Sequence, residues 1–290
     1  MATTTASVTT TKSNRDYALG YTNSEHERLI RQANRFAPYT ERLFREAGIA
    51  AGHRILDVGS GVGDVSILLA RIVGPTGEVV GVERDADSIA RANARVADAG
   101  LPHVKFLQTD VNNIQTDHSF DAVAGRFILM FLPDPASVIR RLLPLLKPGG
   151  IVAFQEPSWK PFLAFNARFS LYSKLLDAVH ETFLRSGVNP EMGPDLHRVF
   201  QEVGLPAPSV HMETALGSGP DFISICSDVL ASVAPIARRH NVPLAELGDL
   251  ATLATRIHDE VSATNEVASL IPLVGVWTRK PQVWNFGLVC

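Results

Sequence analysis

Apolar residues change their spacing along this chain in a regular way. From Ser24 to Gly48 they recur every three to four positions (Leu29, Ile30, Ala33, Phe36, Ala37, Leu43, Phe44, Ala47), with Glu, Arg and Gln between them. That spacing predicts a helix, broken or kinked at Pro38. Short apolar runs and helical stretches then alternate. Strands are predicted at Arg54 to Val58, Val79 to Glu83, Val104 to Thr109 and Phe120 to Gly125. Helices are predicted at Val62 to Val73, Asp87 to Ala99 (ended by Gly100) and Pro135 to Leu146. Lys147-Pro148-Gly149-Gly150 reads as a turn before a strand from Ile151 to Gln155. This alternation implies an α/β fold with a mostly parallel sheet and helices on both faces. Runs such as Val79-Val80-Gly81-Val82 suit strands buried on both sides.

After Glu156 the rhythm changes. Pro161 to Ser186 is aromatic-rich at helical spacing, with Phe162, Phe165, Phe169, Tyr172 and Phe183. A short helix is predicted from Leu196 to Val203, and a strand from Ser209 to Leu216. Two helices follow between 221 and 263, separated near Asn241-Val242-Pro243, and a last strand runs from Ser269 to Thr278. The extra helices are expected to cap the carboxyl edge of the sheet.

Composition narrows the function. With 290 residues, 46 % of them hydrophobic, the chain can bury a large core. A net charge of −3 does not suit a binder relying on bulk basicity, so no nucleic-acid partner is expected. Cys226 and Cys290 form neither a CxxC nor a Cys/His cluster, so no metal is expected, and a reducing, cytoplasmic setting is. No apolar run is read as long enough to span a bilayer. Residues 1–14, mostly Thr, Ala, Ser and Val, are expected to form a disordered tail. The apolar end Val283 to Val289 suits packing on a neighbour in a homo-oligomer.

The chemistry concentrates in Ile55-Leu56-Asp57-Val58-Gly59-Ser60-Gly61-Val62-Gly63-Asp64, followed by Val79-Val80-Gly81-Val82-Glu83. Here a strand, a glycine turn, a helix and a second strand ending in a carboxylate place a ligand beyond the strand ends. Glycine permits positive φ and close approach to the backbone. The dinucleotide pattern G-x-G-x-x-G/A is not met, because Asp64 stands at the third glycine position and would repel a pyrophosphate. No Gly-Lys-Ser/Thr follows, which excludes the P-loop.

Together with Phe106 to Val111, Phe120 to Pro135 and Leu145 to Glu156, these stretches resemble the class I S-adenosylmethionine-dependent methyltransferases. The similarity is to the small-molecule branch that includes ubiquinone/menaquinone-type C-methyltransferases. It implies a Rossmann-like, mostly parallel seven-stranded sheet with a helical cap inserted near the C-terminal half. The chain then divides into a tail (1–14), an N-terminal helical lid (15–50), a cofactor-binding core (51–156) and the remaining strands with the substrate cap (157–290). The cofactor implied is S-adenosyl-L-methionine, with S-adenosyl-L-homocysteine as product.

The resemblance also implies roles. Gly59, Ser60 and Gly61 line the methionine and ribose, and Asp57 lies near the methionine amino group. Glu83 accepts from both ribose hydroxyls. Asp110 accepts from the adenine amino group, and the Val111 N–H meets a ring nitrogen. Arg84 packs beside the adenine or is a solvated neighbour. Arg126 and Phe127 lie near the methionine and substrate, although Arg126 could equally pair with Asp121. Tyr17 or Tyr21 reaches the site from a lid, or Tyr21 staples the first helix. Glu156 is a base or substrate-orienting group, or a satisfied structural carboxylate. His180 is the first candidate among the later histidines for a general base. Phe169, on the aromatic helix, is either core or a wall for a flat, greasy acceptor.

The expected reaction is methyl transfer to an O, N or activated C atom of a small, largely apolar molecule, such as a secondary metabolite or a quinone- or terpenoid-like acceptor. The alternative is a cofactor-binding protein that transfers no methyl, either an adaptor or a pericyclase-like catalyst. A nucleic-acid methyltransferase ranks last, because Gly125-Arg126-Phe127-Ile128 stands where amino-directed enzymes carry Asn/Asp-Pro-Pro-aromatic.

Overall fold

The computed structural model describes residues 23–116 and 119–283. The expectations for the tail 1–14, for Tyr17 and Tyr21 and for the apolar end beyond Val283 fall outside the described residues. Helix α1 (Asn23–Glu46) precedes β1 (Arg54–Val58), α2 (Asp64–Val73), β2 (Glu78–Glu83), α3 (Ala86–Asp98) and β3 (Val104–Gln108). Then come β4 (Phe120–Arg126), α4 (Pro135–Leu142) and β5 (Leu146–Pro157). Helices α5 (Trp159–Asn166), α6 (Ser170–Arg185) and α7 (Met192–Glu202) lead to β6 (Ser209–Glu213) and β7 (Leu216–Gly217). The chain closes with α8 (Pro220–Arg239), α9 (Leu253–Ala263), β8 (Ala268–Ser269) and β9 (Leu273–Arg279).

Seven strands form one sheet in the order β3-β2-β1-β4-β5-β9-β6. Strands β1 to β5 pair in parallel, and β9 runs antiparallel between β5 and β6. This is the Rossmann-like arrangement the resemblance implied. Strand order reverses between β1 and β4, so a crevice opens there at the carboxyl ends.

Period-two alternation sorts the strands onto two cores. Ile55, Ala122, Ala124, Ile151 and Ala153 pack with Leu43 and Phe44 of α1 and Leu69 and Val73 of α2. Leu56, Val58, Val123, Val152 and Phe154 face the opposite core with Ile139 of α4 and Phe200 of α7. That second core runs on without interruption into the cap formed by α5, α6, α8 and α9. The cap is fastened by a buried amide. Asn166 Nδ2 donates to the Phe162 carbonyl (2.9 Å) and to Ser269 Oγ (2.9 Å), and the Ser269 N–H donates to Asn166 Oδ1 (3.0 Å).

Four expectations need correction. Pro38 lies inside one uninterrupted α1. Buried Phe36, Leu43 and Phe44 stand on both sides of it, so tertiary burial holds the two halves together despite one lost backbone bond. Lys147 to Gly150 is not a turn before β5 but an irregularity within it. Phe120 pairs with Leu146, and Ala122 next pairs with Ile151, so the four residues bulge from the ladder. The aromatic stretch 161–186 is two helices, parted at Ala167–Phe169. Lastly, α8 is long and apolar enough to cross a membrane by length and composition, with a mean hydropathy of 1.3. Here it is a cap helix, with Ile223, Leu230, Val233 and Ala237 buried and Asp228 paired to Arg31.

Asn166→Ala leaves the Ser269 N–H without its partner in a dry site. It should lower unfolding stability by about 1–3 kcal/mol in urea denaturation followed by circular dichroism. An unchanged midpoint would show that the amide does not hold the cap.

Candidate active site

The crevice is shaped first by the loop after β1. Gly59 and Gly61 have φ of +70° and +52°, which side chains rarely adopt. A Cβ on Gly59 would also lie 2.6 Å from Ile128 Cδ1, whereas one on Gly61 would meet nothing within 4 Å. The loop is tied to β2 at two points. The Ser60 N–H donates to the Val82 carbonyl (2.9 Å), and the Gly61 N–H donates to Glu83 Oε2 (3.0 Å). The other Glu83 oxygen accepts from the Arg84 and Asp85 N–H groups at 2.8 and 3.0 Å.

Around this loop lies a cavity of about 520 Å³. It brings together Gly59, Ser60, Gly61, Glu83, Arg84, Asp110, Val111, Arg126 and Phe127. Asp110 opens the 3-10 turn Val111–Asn113, its Oδ1 accepting from the Asn112 backbone N–H (2.8 Å) and from Asn112 Nδ2 (2.9 Å). The cavity lining also includes an apolar group, Met130, Phe131, Trp159, Phe183, Val229 and Ile271.

Four expected site residues are not on its wall. Asp57 is buried behind the loop, where Oδ2 accepts from Ser66 Oγ (2.5 Å) and Oδ1 has no partner. Burial pushes its carboxyl up to about 7, against the pull of the Ser66 hydroxyl. His180 packs behind Trp159, ring centroids 5.6 Å apart, and burial lowers its pKa. Phe169 is fully buried at the start of α6 and belongs to the core rather than to a substrate wall. Aromatic spacing marks a buried face without saying whether a cavity lies behind it.

Glu156, fully buried, lies beneath the turn that follows β4. Its Oε1 accepts from the Ile128 (2.9 Å) and Leu129 (2.8 Å) N–H groups, and Oε2 has no partner. Of its two readings, this geometry matches the structural carboxylate. It accounts for Phe127, which has φ +54°, an unusual value for a bulky residue. The Phe127 N–H still reaches the Gln155 carbonyl at 3.0 Å, and Glu156 takes the next two N–H groups, so the strained residue is clamped from both sides. Burial pushes Glu156 up to about 7, opposed by the N–H groups of Leu129, Ile128 and Met130. Arg126 does not pair with Asp121, which instead takes Lys147 (2.7 Å) and the Arg54 N–H (2.8 Å).

Helix α1 supplies wall residues that motif reading missed: His26, Arg28, Leu29 and Gln32. Arg28 donates to both oxygens of Glu25 (2.8 and 2.5 Å) and to Gln32 Oε1 (2.5 Å), and Ser232 of α8 donates to Glu25 (2.5 Å). His26 Nε2 lies 3.2 Å from Ser88 Oγ at the start of α3. The available signal was the insertion of Glu25, His26, Arg28 and Gln32 into the buried stripe that includes Leu29, Ala33 and Phe36. Polar residues on an apolar stripe need partners there.

With the geometry in hand, comparison with known proteins identifies the class. Residues 49–204 match the family model described as a methyltransferase domain. The chain belongs to this family, as a class I S-adenosylmethionine-dependent methyltransferase whose cofactor is S-adenosyl-L-methionine. It is 29 % identical over 178 residues to a demethylmenaquinone methyltransferase of Staphylococcus aureus, covering 57 % of this chain and 73 % of that one. Two solved structures share the fold. The cyclase SpnF has 20 % identity and a TM-score of 0.50, covering 84 % of this chain and 81 % of that one. A phosphoethanolamine N-methyltransferase of Haemonchus contortus, in complex with S-adenosylhomocysteine, has 16 % identity and a TM-score of 0.51, covering 84 % and 53 %.

The residues present fit that cofactor. Two carboxylates, Glu83 and Asp110, line a cavity whose volume can hold a nucleoside, and the buried Ser60 hydroxyl has no partner. A pyrophosphate would meet Asp64 at the helix start, where Arg95 is already bound to it at 2.7 Å.

The two raised carboxyls give a pH dependence of stability with a defined sign. Folded Glu156 keeps a proton between 4.5 and about 7 that the unfolded chain has lost, and Asp57 does so from 3.8. Stability therefore falls as pH rises through this window, by about 1.4 kcal/mol per pH unit for each group. Glu156→Gln, which mimics the protonated acid, should remove its share of the slope in urea denaturation between about pH 5 and pH 7. An identical slope in the variant would contradict the assignment.

Proposed function

We propose that this protein transfers the methyl group of S-adenosylmethionine to a small, largely apolar molecule. The observation that carries this reading is that a single cavity is lined both by polar groups, from Glu83, Asp110 and the glycine loop, and by apolar ones, from Phe131, Trp159, Phe183, Val229 and Ile271. When bound, the cofactor supplies an electrophilic methyl group on a positively charged sulfur.

The chain's own residues then bind, orient and exclude water. Glu83 accepts one ribose hydroxyl on the lone pair that Oε2 has left beside the Gly61 bond, and the other on Oε1 in exchange for the Arg84 or Asp85 N–H. Asp110 and the Val111 N–H read the adenine edge, with Arg84 beside it. Gly59 and Gly61 bring the backbone close, and the Ser60 hydroxyl gains the partner it lacks. Asp57 acts from behind the loop on the methionine amino end. Phe127, held in place by Glu156, and the cap aromatics enclose the acceptor. A dry, aligned site favours a reaction in which charge on sulfur disappears.

The acceptor class is supported by these apolar residues of the cavity and by a small apolar pocket next to it. Phe36, Phe162, Leu176 and Cys226 line that pocket, which shares Trp159 and Val229 with the lining of the main cavity. The relative named for demethylmenaquinone supports a flat, quinone-like acceptor.

Calorimetry should show S-adenosylhomocysteine binding that Glu83→Ala weakens by about 10- to 100-fold, the range for losing hydrogen bonds to a charged group. Isotopically labelled methyl should pass from the cofactor to a member of a panel of apolar phenols and quinols. Binding without transfer to any acceptor would favour the adaptor or cyclase reading. No binding at millimolar concentration would overturn the assignment.

A further inference from the structure

Helix α1 brings to the cavity a polar chain that cofactor binding leaves unused. Arg28 and Glu25 form a buried ion pair at 2.5 Å, and Ser232 of α8 donates to Glu25 at 2.5 Å. Arg28 Nη1 donates in turn to Gln32 Oε1 at 2.5 Å. Arginine can only donate, so this contact fixes which end of the Gln32 amide is which. The oxygen is held by the cation. The Nε2 end makes no hydrogen bond among the described residues.

Gln32 stands where two cavities meet. Together with Trp159, Val229 and Ile271 it lines both the main cavity and the small apolar pocket. Of these four, only Gln32 and Trp159 carry a side-chain N–H. The Trp159 indole N–H also makes no hydrogen bond among the described residues, and the residue is buried. The one other polar side chain of the pocket, Cys226, is engaged by the Tyr172 hydroxyl at 3.1 Å. Two donors therefore stand on otherwise apolar walls with no acceptor from the chain. An enclosed donor is costly unless something brings it a lone pair.

We propose that Gln32 and Trp159 bind an oxygen of the methyl acceptor, which is thus an apolar molecule bearing a carbonyl, enol or phenol oxygen. This rests on the methyl-transfer reading above. An ammonium, which only donates, does not suit two donors. The oxygen belongs to the acceptor because Glu83, Asp110 and the glycine loop, which meet the cofactor, do not line the small pocket. Glu25 and Arg28 act as positioning residues. They hold the amide at one angle, and the cation on its oxygen polarises the N–H groups into stronger donors.

The probes are 1-indanone and indane, one ring system with and without a carbonyl, titrated by ligand-observed NMR into protein saturated with S-adenosylhomocysteine. The unaltered protein should bind 1-indanone about tenfold more tightly than indane. Gln32→Met keeps the length of the side chain and removes the donor. It should cut that preference to about threefold, and Trp159→Phe should do the same. Affinities of both variants for indane and for S-adenosylhomocysteine should change by less than about threefold, since neither loses a hydrogen bond. Equal binding of the two probes by the unaltered protein would overturn the inference. So would no binding of 1-indanone at millimolar concentration, or a preference that survives both substitutions. Equal losses of both probes in Gln32→Met would make Gln32 a scaffold residue and overturn it as well. If S-adenosylhomocysteine itself does not bind the unaltered protein, the methyl-transfer reading fails first, a result distinct from all of these.

Discussion

The cleft depends on one carboxylate reaching back to the backbone. Glu83, at the carboxyl end of β2, accepts the Gly61 N–H from the neighbouring loop and the Arg84 and Asp85 N–H groups from its own turn. It joins the exit of β1 to the exit of β2 at the point where the sheet opens. Gly61 must take a positive φ to present its N–H there, and the space where a Cβ would stand is left open to the cavity. The turn that leads into α3 begins from the same acid. Asp85 then caps α3 through the Ser88 N–H at 2.7 Å, and Ser88 in turn touches His26 of α1. The position of the roof therefore traces back to this clasp.

The second constraint is enclosure of charge. Asp57, Arg126 and Glu156 stand near the carboxyl ends of β1, β4 and β5, and each is shifted by burial toward its neutral form. Burying three ionisable groups at one edge of a sheet does little for stability by itself. It makes sense where the edge must stay dry yet polar. Glu156 meets this need by holding a strained turn, Asp57 by backing the glycine loop, and Arg126 by facing the cavity. The cap supplies the dryness, since its apolar residues continue one core of the sheet without a break.

Much of this was legible in the sequence. The strands β1 to β5 and the helices between them follow from changes of apolar period, and the loop from its three glycines and two flanking acids. These signals are local, so they survive without knowledge of the tertiary contacts. What was not legible depends on partners distant in the chain. Lys147 to Gly150 has turn chemistry, yet the ladder with β4 resumes at Ile151 and absorbs it as a bulge. Pro38 is a breaker by itself, but burial on either side overrides it. Phe169 and Tyr172 went to the core, while Trp159 and Phe183, of similar character and also buried, line the cavity as well. Periodicity tells which face is covered and not by what. Glu156 looked like a candidate base because it ends a strand at the mouth. Only the positions of the Ile128 and Leu129 N–H groups show what its carboxylate holds.

The central claim is that a nucleoside lies across the ends of β1 and β2 with its sugar on Glu83. A crystal structure with S-adenosylhomocysteine tests it most directly. The account predicts both ribose hydroxyls on the Glu83 carboxylate, the Gly61 N–H bond kept, and the adenine beside Asp110 and Val111. A nucleoside bound elsewhere, or a Glu83 side chain turned out to solvent in the complex, would contradict it.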